Sequence, residues 1–348
     1  MMDSRTNRKS LKKKKKKKSK KFRLFILTFL LLLIGTGSVF AYQIYSEARK
    51  ASEKIYEALD LSKLKKKPHE HIEIRKDPMT VLLVGVENQG IADGVKEGHS
   101  DVIMLLTVNP ATKKVYMLSI PRDTRIYIPA EGRKDKITHS YMHGGIESTI
   151  SAVNELIDVP IDYYITTNFE GFEQIVDSLG GVTVDVPFTF KAQLTDSLKW
   201  YTFHKGEMEL NGNQALAYVR MRKSDPRGDF GRNERQKQVL KAIVEKSTSI
   251  TSLTKLDDVI ARLGDNVRTN IPPSDLLSFV YLYKEMKNVP IENLHLKGYD
   301  DYINNTYYYI PDDQSVAEIN ETLKQALDKN PTSSYTQNSI SEDSQSSN

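Results

Sequence analysis

Five arginines fall within residues 218–237 of the chain, in the segment YVRMRKSDPRGDFGRNERQK. Arg220 and Arg222, two apart, would share one face of an extended strand. Arg232 and Gln236, four apart, share one face of the helix predicted to follow. Asp229 is placed to cap that helix, whose N-terminal amides add partial positive charge nearby. Guanidinium groups converging beside a helix N-terminus suit phosphate, because the planar fork gives paired hydrogen bonds to its oxygens. The same segment also reads as a solvated face whose arginines pair with Asp225, Asp229 and Glu234.

A second cluster, Ser119-Ile120-Pro121-Arg122-Asp123-Thr124-Arg125, ends an apolar strand, where α/β folds commonly place ligand-contacting residues. It makes Arg122 and Arg125 phosphate candidates, against the simpler reading of a strand-end turn with local ion pairs. Two carboxylates also lie at strand ends, Glu87 after VLLVGV and Asp101 before VIMLL. Two carboxylates with phosphate oxygens and waters are the usual way a protein holds Mg²⁺, although strand-end carboxylates also serve as caps or in solvated turns. His69 and His71 give a weak HxH signal, and His139 and His143, four apart, would make half a metal site if helical, against the simpler reading of hydrogen-bonded loop histidines. The chain contains no GxSxG elbow, Walker loop or HExxH.

The elements that must position these groups alternate. Short β-rich apolar runs at 80–86, 102–108 and 115–120, the last two joined through Asn109-Pro110, predict neighbouring strands of a buried sheet. Further strands are predicted at 163–167, 182–186, 294–298 and 306–310. Helical periodicity covers 147–157, 171–178, 214–218, 232–246, 273–286 and 314–327. Interleaved strands and helices predict an α/β fold, a mixed central sheet flanked by helices, and residues 79–328 contain no linker-like break.

Composition sets the surroundings. The 348 residues are 39% hydrophobic and 27% charged, which suits a globular core and excludes a collagen-like, wholly disordered or multispanning chain. The net charge is +5, but residues 1–23 hold 13 Lys/Arg against Asp3 alone, a charge of +12, which leaves −7 on the rest. The folded part is therefore acidic, opposite to the charge expected of a nucleic-acid binder.

Residues 24–41 form an uncharged apolar run, and the segment 24–42 is predicted to span the membrane, with a cleaved secretory signal as the alternative. The preceding lysines keep the N-terminus in the cytoplasm, giving a single-pass type II protein with its domain outside. The absence of cysteine fits that side of the membrane and removes thiol nucleophiles and disulfide scaffolds. Residues 43–78 read as a helical stalk, striped by Ile44, Ala48, Ala51, Ile55 and Ala58, and a polar linker from residue 65; residues 329–348 read as a disordered tail.

Four segments, SDVIMLLTVNPATKKVYMLSIPRDTRIYIP, DKITHSYMHGG, PIDYYITTNFEGFEQIVDSLGGVTVDVP and LNGNQALAYVRMRKSDPRGDFGRNERQKQV, together resemble the LytR-CpsA-Psr family of membrane-anchored cell-wall proteins of Gram-positive bacteria. The resemblance covers about residues 81 to 245 in the family's order. It implies a phosphotransferase that takes a glycopolymer, such as teichoic acid or capsule, from a polyprenyl pyrophosphate carrier and joins it to peptidoglycan. It also implies a deep hydrophobic pocket for the carrier.

By position, Arg122, Arg220, Arg222, Arg232 and Gln236 fall where the family binds the pyrophosphate, and Asp101 falls where it binds Mg²⁺. On the same expectation Asp101, Arg122, Arg220 and Arg222 form the catalytic set, Arg125 joins the substrate-binding residues and Glu87 joins Asp101 at the metal. Two departures stand out: Glu87 replaces the family's usual Asp, and His99 replaces an Arg two residues before the Asp of SDT, here SDV. The alternatives to an enzyme are a polyprenyl-phosphate-binding protein without turnover and a regulator acting indirectly through wall stress. Direct contact with nucleic acid is not expected, since a lysine-rich stub of some two dozen residues has no room for a helix-turn-helix and suits anionic membrane lipids instead.

Overall fold

The computed structural model describes residues 53–87, 98–222, 224–249 and 266–329. The basic tail, the predicted span at 24–42, most of the stalk stripe and the polar tail after residue 329 lie outside these. Among the described residues no helix is long and apolar enough to cross a membrane.

Strands β1 (Met79–Val86), β2 (Ser100–Asn109) and β3 (Lys114–Ser119) form where the apolar runs predicted them, and they pair antiparallel in sequence. The hairpins β4 (Arg125–Ile128) with β5 (Arg133–Lys136), β8 (Phe190–Gln193) with β9 (Trp200–Phe203), and β13 (Gly298–Ile303) with β14 (Thr306–Pro311) are separate antiparallel pairs. So are β7 (Val182–Val186) and β10 (Gly206–Leu210). Strand β6 (Tyr163–Asn168) runs parallel to β1, β11 (Val267–Thr269) is antiparallel to β6, and β12 (Ile291–His295) is parallel to β3. The central sheet thus has the order β11-β6-β1-β2-β3-β12 and is mixed.

Period-two alternation explains how one strand feeds two cores. Leu82, Val84 and Val86 of β1 face a cluster with Ile103, Leu105, Tyr116 and Leu118. That face is covered by α1 (Gly145–Leu156) and α6 (Asp313–Leu327), which contribute Ile150, Val153, Ile319 and Leu323. Met79 and Val81 face the other way, against Leu282 and Met286 of α5 (Leu276–Met286). The predicted sheet flanked by helices on both faces is therefore present. A third apolar cluster lies between α2 (Phe169–Ser178), α3 (Gly212–Arg220), α4 (Asp229–Ser249) and the small β7–β10 and β8–β9 sheets, built on Val176, Val182, Phe190, Phe203, Leu216, Tyr218 and Val239.

Helix starts follow their caps. The Asn168 side chain accepts from the Gly171 amide at 2.8 Å, Asn211 and Gln214 form a reciprocal capping box, and Asp312 accepts from the Ser315 amide at 2.8 Å.

Three expectations need correction. The stalk helix does not continue through Ala58: it ends by Ile55, after which Tyr56 bridges Thr269 and the Glu57 amide donates to the Thr269 carbonyl. Ile55 itself packs with Val267. The polar stretch 65–78 is irregular but not loose, because buried Asp162 accepts from the His69 amide at 3.0 Å and the Thr80 amide at 2.9 Å and lies 2.8 Å from the His69 ring. The strand predicted at 294–298 is instead the end of β12 and the start of β13, since the chain turns where Leu296 enters the core and its carbonyl accepts from the Tyr309 hydroxyl.

Candidate active site

The site begins with an irregularity in the β1–β2 ladder. Gly85 faces Val102 but Val86 faces Ser100, so Asp101 is the extra residue of a β-bulge. Bulges re-aim a side chain at the end of a ladder. Gly85 allows the close approach, since a Cβ there would lie 3.0 Å from the Val102 Cβ. Glu87 follows on the neighbouring strand end, its amide donating to the His99 carbonyl at 3.0 Å.

Arg122 comes from the turn after β3. The Thr124 amide closes that turn on Pro121, the Thr138 amide donates to the Arg122 carbonyl, and the Tyr309 amide donates to the Asp123 carbonyl. A backbone held from three sides aims its side chain reproducibly. Arg122 Nη1 donates to Asp101 Oδ1 at 2.8 Å, and its Nε lies 3.7 Å from Asp123. Asp123 is buried and accepts from Lys136 Nζ at 2.8 Å.

Arg220 reaches the same strand ends from another element. It is the last residue of α3, and Met221 leaves the helix in an extended conformation. Arg220 and Arg222 therefore do not share a strand face as predicted; a helix C-terminus separates them. The Arg220 guanidinium lies 4.4 Å from the centre of the Phe169 ring, with Nη2 3.8 Å from Glu87. Arg222 is exposed in the segment between α3 and α4.

The remaining arginines divide by role. Arg235 is 1% exposed; its Nε donates to the Tyr218 carbonyl at 3.1 Å, and its two Nη atoms bond the Met221 carbonyl and Asp225. It thus holds the main chain on both sides of Arg220. Arg227 pairs with the other Asp225 oxygen at 3.3 Å. Burial pushes the Asp225 carboxyl up, but the Arg227 amide and the Arg227 and Arg235 guanidinium groups outweigh it and hold the group below the usual carboxylate value. Gly231 makes room for this carboxylate under the first turn of α4, where any Cβ would overlap it.

Helix α4 begins at Asp229, so that residue lies in the first turn and not before it. Arg232 is buried in the same turn, with Gln236 half-buried one turn on. Arg125 sits on β4, its guanidinium 5.7 Å from the centre of the Tyr308 ring and its Nε buried without a hydrogen-bond partner. Within the arginine segment Arg227 and the buried Arg235 pair with Asp225, and Arg220 lies beside Glu87 at the strand ends.

His139 and His143 follow the simpler reading, each held by a carboxylate. His139 lies 3.1 Å from Asp135 and His143 pairs with Glu131. His99, in place of the family's arginine, has its ring 5.2 Å from that of His139. Burial pushes the Asp135 carboxyl up, but the Lys136 amide, His139 and Arg133 hold it below its ordinary value. Glu87 and Asp101 are hard oxygen donors of the kind Mg²⁺ takes. Among the described residues no group of three or more His, Cys, Asp or Glu could hold a metal alone, so two carboxylates fit the ion only with substrate oxygens and waters completing its shell.

Sequence reasoning missed Asp123, Lys136 and Phe169. Asp123 stands within the IPRD turn and was visible as a carboxylate beside Arg122; nothing local marks Phe169, which meets Arg220 from across the fold. A cavity of about 360 Å³, lined by Lys297, Tyr299, Asp312, Gln314 and Ser315 among others, includes none of these site residues.

An α/β/α fold that gathers carboxylates and arginines at adjoining strand ends, beside a helix terminus, presents the kind of donors that suit phosphate esters. The chain belongs to the LytR_cpsA_psr family, whose profile matches residues 39–325. It is 42% identical over 299 residues, 86% of this chain and 93% of the relative, to the polyisoprenyl-teichoic acid-peptidoglycan teichoic acid transferase TagU of Bacillus subtilis strain 168. The crystal structure of B. subtilis TagV is similar at a TM-score of 0.64 and 39% identity, covering 72% of this chain and 98% of that one. TagT bound to LIIa-WTA is similar at 0.63 and 32%, covering 78% and 99%.

Proposed function

We propose that this chain is a phosphotransferase that moves a teichoic-acid-type glycopolymer from a polyprenyl pyrophosphate carrier to peptidoglycan at the outer face of the cell membrane. The observation that carries the reading is the paired arrangement at the strand ends, Arg122 on Asp101 and Arg220 beside Glu87. Relatives named as teichoic acid transferases support the choice of reaction.

A diphosphate entering between the pairs draws the guanidinium donors of Arg122 and Arg220 onto its own oxygens, and in doing so frees the carboxylates. Asp101 and Glu87 would hold Mg²⁺ against the same oxygens, where the ion supplies charge neutralisation. A peptidoglycan hydroxyl then attacks the phosphorus that carries the polymer, the bond to the bridging oxygen breaks, and polyprenyl phosphate leaves. Arg122, Arg220 and Arg222 stabilise the charge that develops on the leaving phosphate. The carrier's apolar tail lies along the third apolar cluster, whose partly buried rim includes Phe172, Phe188, Tyr201 and, against Arg220, Phe169. The segment at 24–42 anchors the domain to the bilayer, with the lysine tail on the cytoplasmic side.

The full-length chain, mixed with a synthetic lipid-linked polymer, a peptidoglycan oligomer and Mg²⁺, is expected to form a phosphodiester between polymer and acceptor. Carrier binding without that product would leave a binding protein and overturn the enzyme.

A further inference from the structure

We propose that the tip of the β8–β9 hairpin is a lipid-contact element, with Trp200 and Leu198 entering the boundary between headgroups and acyl chains. This rests on the anchored reading above and adds a second, folded point of contact to it.

The hairpin has two unlike faces. Its register places Phe190 opposite Phe203 and Ala192 opposite Tyr201, all turned into the third apolar cluster. Lys191, Gln193, Trp200 and Thr202 alternate onto the other face. Trp200 is 69% exposed and Leu198 67% exposed. Leu198 also has φ 55°, a left-handed conformation that is unfavourable for a bulky residue and holds it at the turn. Two bonds fix the tip: the Leu194 amide donates to the Lys199 carbonyl at 2.9 Å, and Gln193 Nε2 to the Leu198 carbonyl at 2.7 Å.

Large apolar groups held outward on an ordered turn call for a partner. The surrounding charge names its chemistry. Exposed Lys191 and Lys199 stand on the same hairpin beside Asp196, amines of the kind that anionic headgroups attract. Indole, with an apolar body and one N–H, belongs at the membrane–water boundary.

Placement favours a lipid surface over a protein partner. Thr195, at the tip, donates to Glu173 of α2 at 2.8 Å. Two residues along the same helix, Ile175 packs against the Ile55 and Val267 cluster, where the chain enters the fold from the predicted anchor. Two residues span about 3 Å along a helix axis, so the tip and the entry point lie against the same turn of α2 from its two sides. The hairpin's root joins the site as well: Phe190 stacks on Tyr218 at 5.9 Å, and Tyr218 is held by Arg235.

Trp200 is the chain's single tryptophan, so its emission can be read in the intact protein. The full-length chain is reconstituted into phosphatidylglycerol-containing vesicles, checked by flotation, and challenged with lipids brominated at graded depths and with aqueous acrylamide. Bromine near the headgroup boundary is expected to lower the emission about twofold, and acrylamide to act weakly. Leu198→Asp, which keeps the tryptophan, should reduce the bromolipid effect. A chain that floats while Trp200 is quenched by acrylamide and not by bromolipid overturns the contact and leaves the anchor standing. Shielding from both quenchers would put a protein partner or a second copy on the tip and also overturn it. Failure to float would remove the anchored reading and this proposal together.

Discussion

Arg235 separates two meanings of a charged residue. Its guanidinium is buried on Asp225 and on the carbonyls of Tyr218 and Met221, so replacing it strands a carboxylate and two acceptors. Arg235→Met is expected to destabilise the fold by about 3 to 5 kcal/mol, read as a lower denaturation midpoint. The pH dependence has a definite sign. Because the folded carboxyl of Asp225 is held below its unfolded value near 3.8, its contribution is present above that value and lost as pH falls through the folded one. Asp225→Asn should therefore lose stability at neutral pH and flatten the acid limb of the stability curve. The residues at the strand ends behave differently. Arg220→Ala should weaken carrier binding and transfer together, whereas Asp101→Ala leaves the arginines and should lower transfer by about a hundredfold, or about 3 kcal/mol, with binding largely kept. Parallel lipid-binding and single-turnover assays check the split; equal losses for both variants would remove the distinction between phosphate and metal roles. Arg122, Arg220 and Asp101 could be picked out as candidates because the charge that marks them lies in the side chain itself. The role of Arg235 was not, because two of its partners are main-chain carbonyls brought to it by a turn.

The elements that were legible are those buried on both faces. The strands β1, β2 and β3 are continuous apolar runs, and their positions follow from the sequence nearly to the residue. The hairpin β4–β5 was not predicted, since Arg133-Lys134-Asp135-Lys136 carries no apolar alternation and is held by pairing with β4 and by Asp135 contacts. The bulge at Asp101 is equally invisible, because it is a property of two strands and not of one. The segment 65–78 shows what a polar stretch can hide. His69 is held on Asp162, and that hydrogen bond raises its pKa above 6.5 despite the opposing effect of burial. The stabilisation is complete below the unfolded value near 6.5 and disappears as pH rises through the folded value. NMR titration of the imidazole should give a midpoint above 6.5, and limited proteolysis of this segment should quicken on the alkaline side of it. His69→Ala should abolish that dependence.

At the scale of the whole chain, the charge asymmetry, the α/β fold and the family could all be read from sequence, whereas the third apolar cluster could not, since its walls come from seven short segments. Orientation has its own test: protease added to intact protoplasts should remove the domain, and full protection would reverse the assignment of the lysine tail to the cytoplasm. The strand order has one further consequence, for synthesis. Strands β6, β1, β2 and β3 occupy the middle of the sheet, and both borders, β11 and β12, come from residues beyond 266. A chain emerging N-terminus first therefore assembles the centre of its sheet while both edges remain open to pairing with a neighbour. Release of a chain truncated before residue 266 should yield aggregates, whichever site residues it retains, so the last quarter of the polypeptide acts as the molecule's own guard against self-association during its birth.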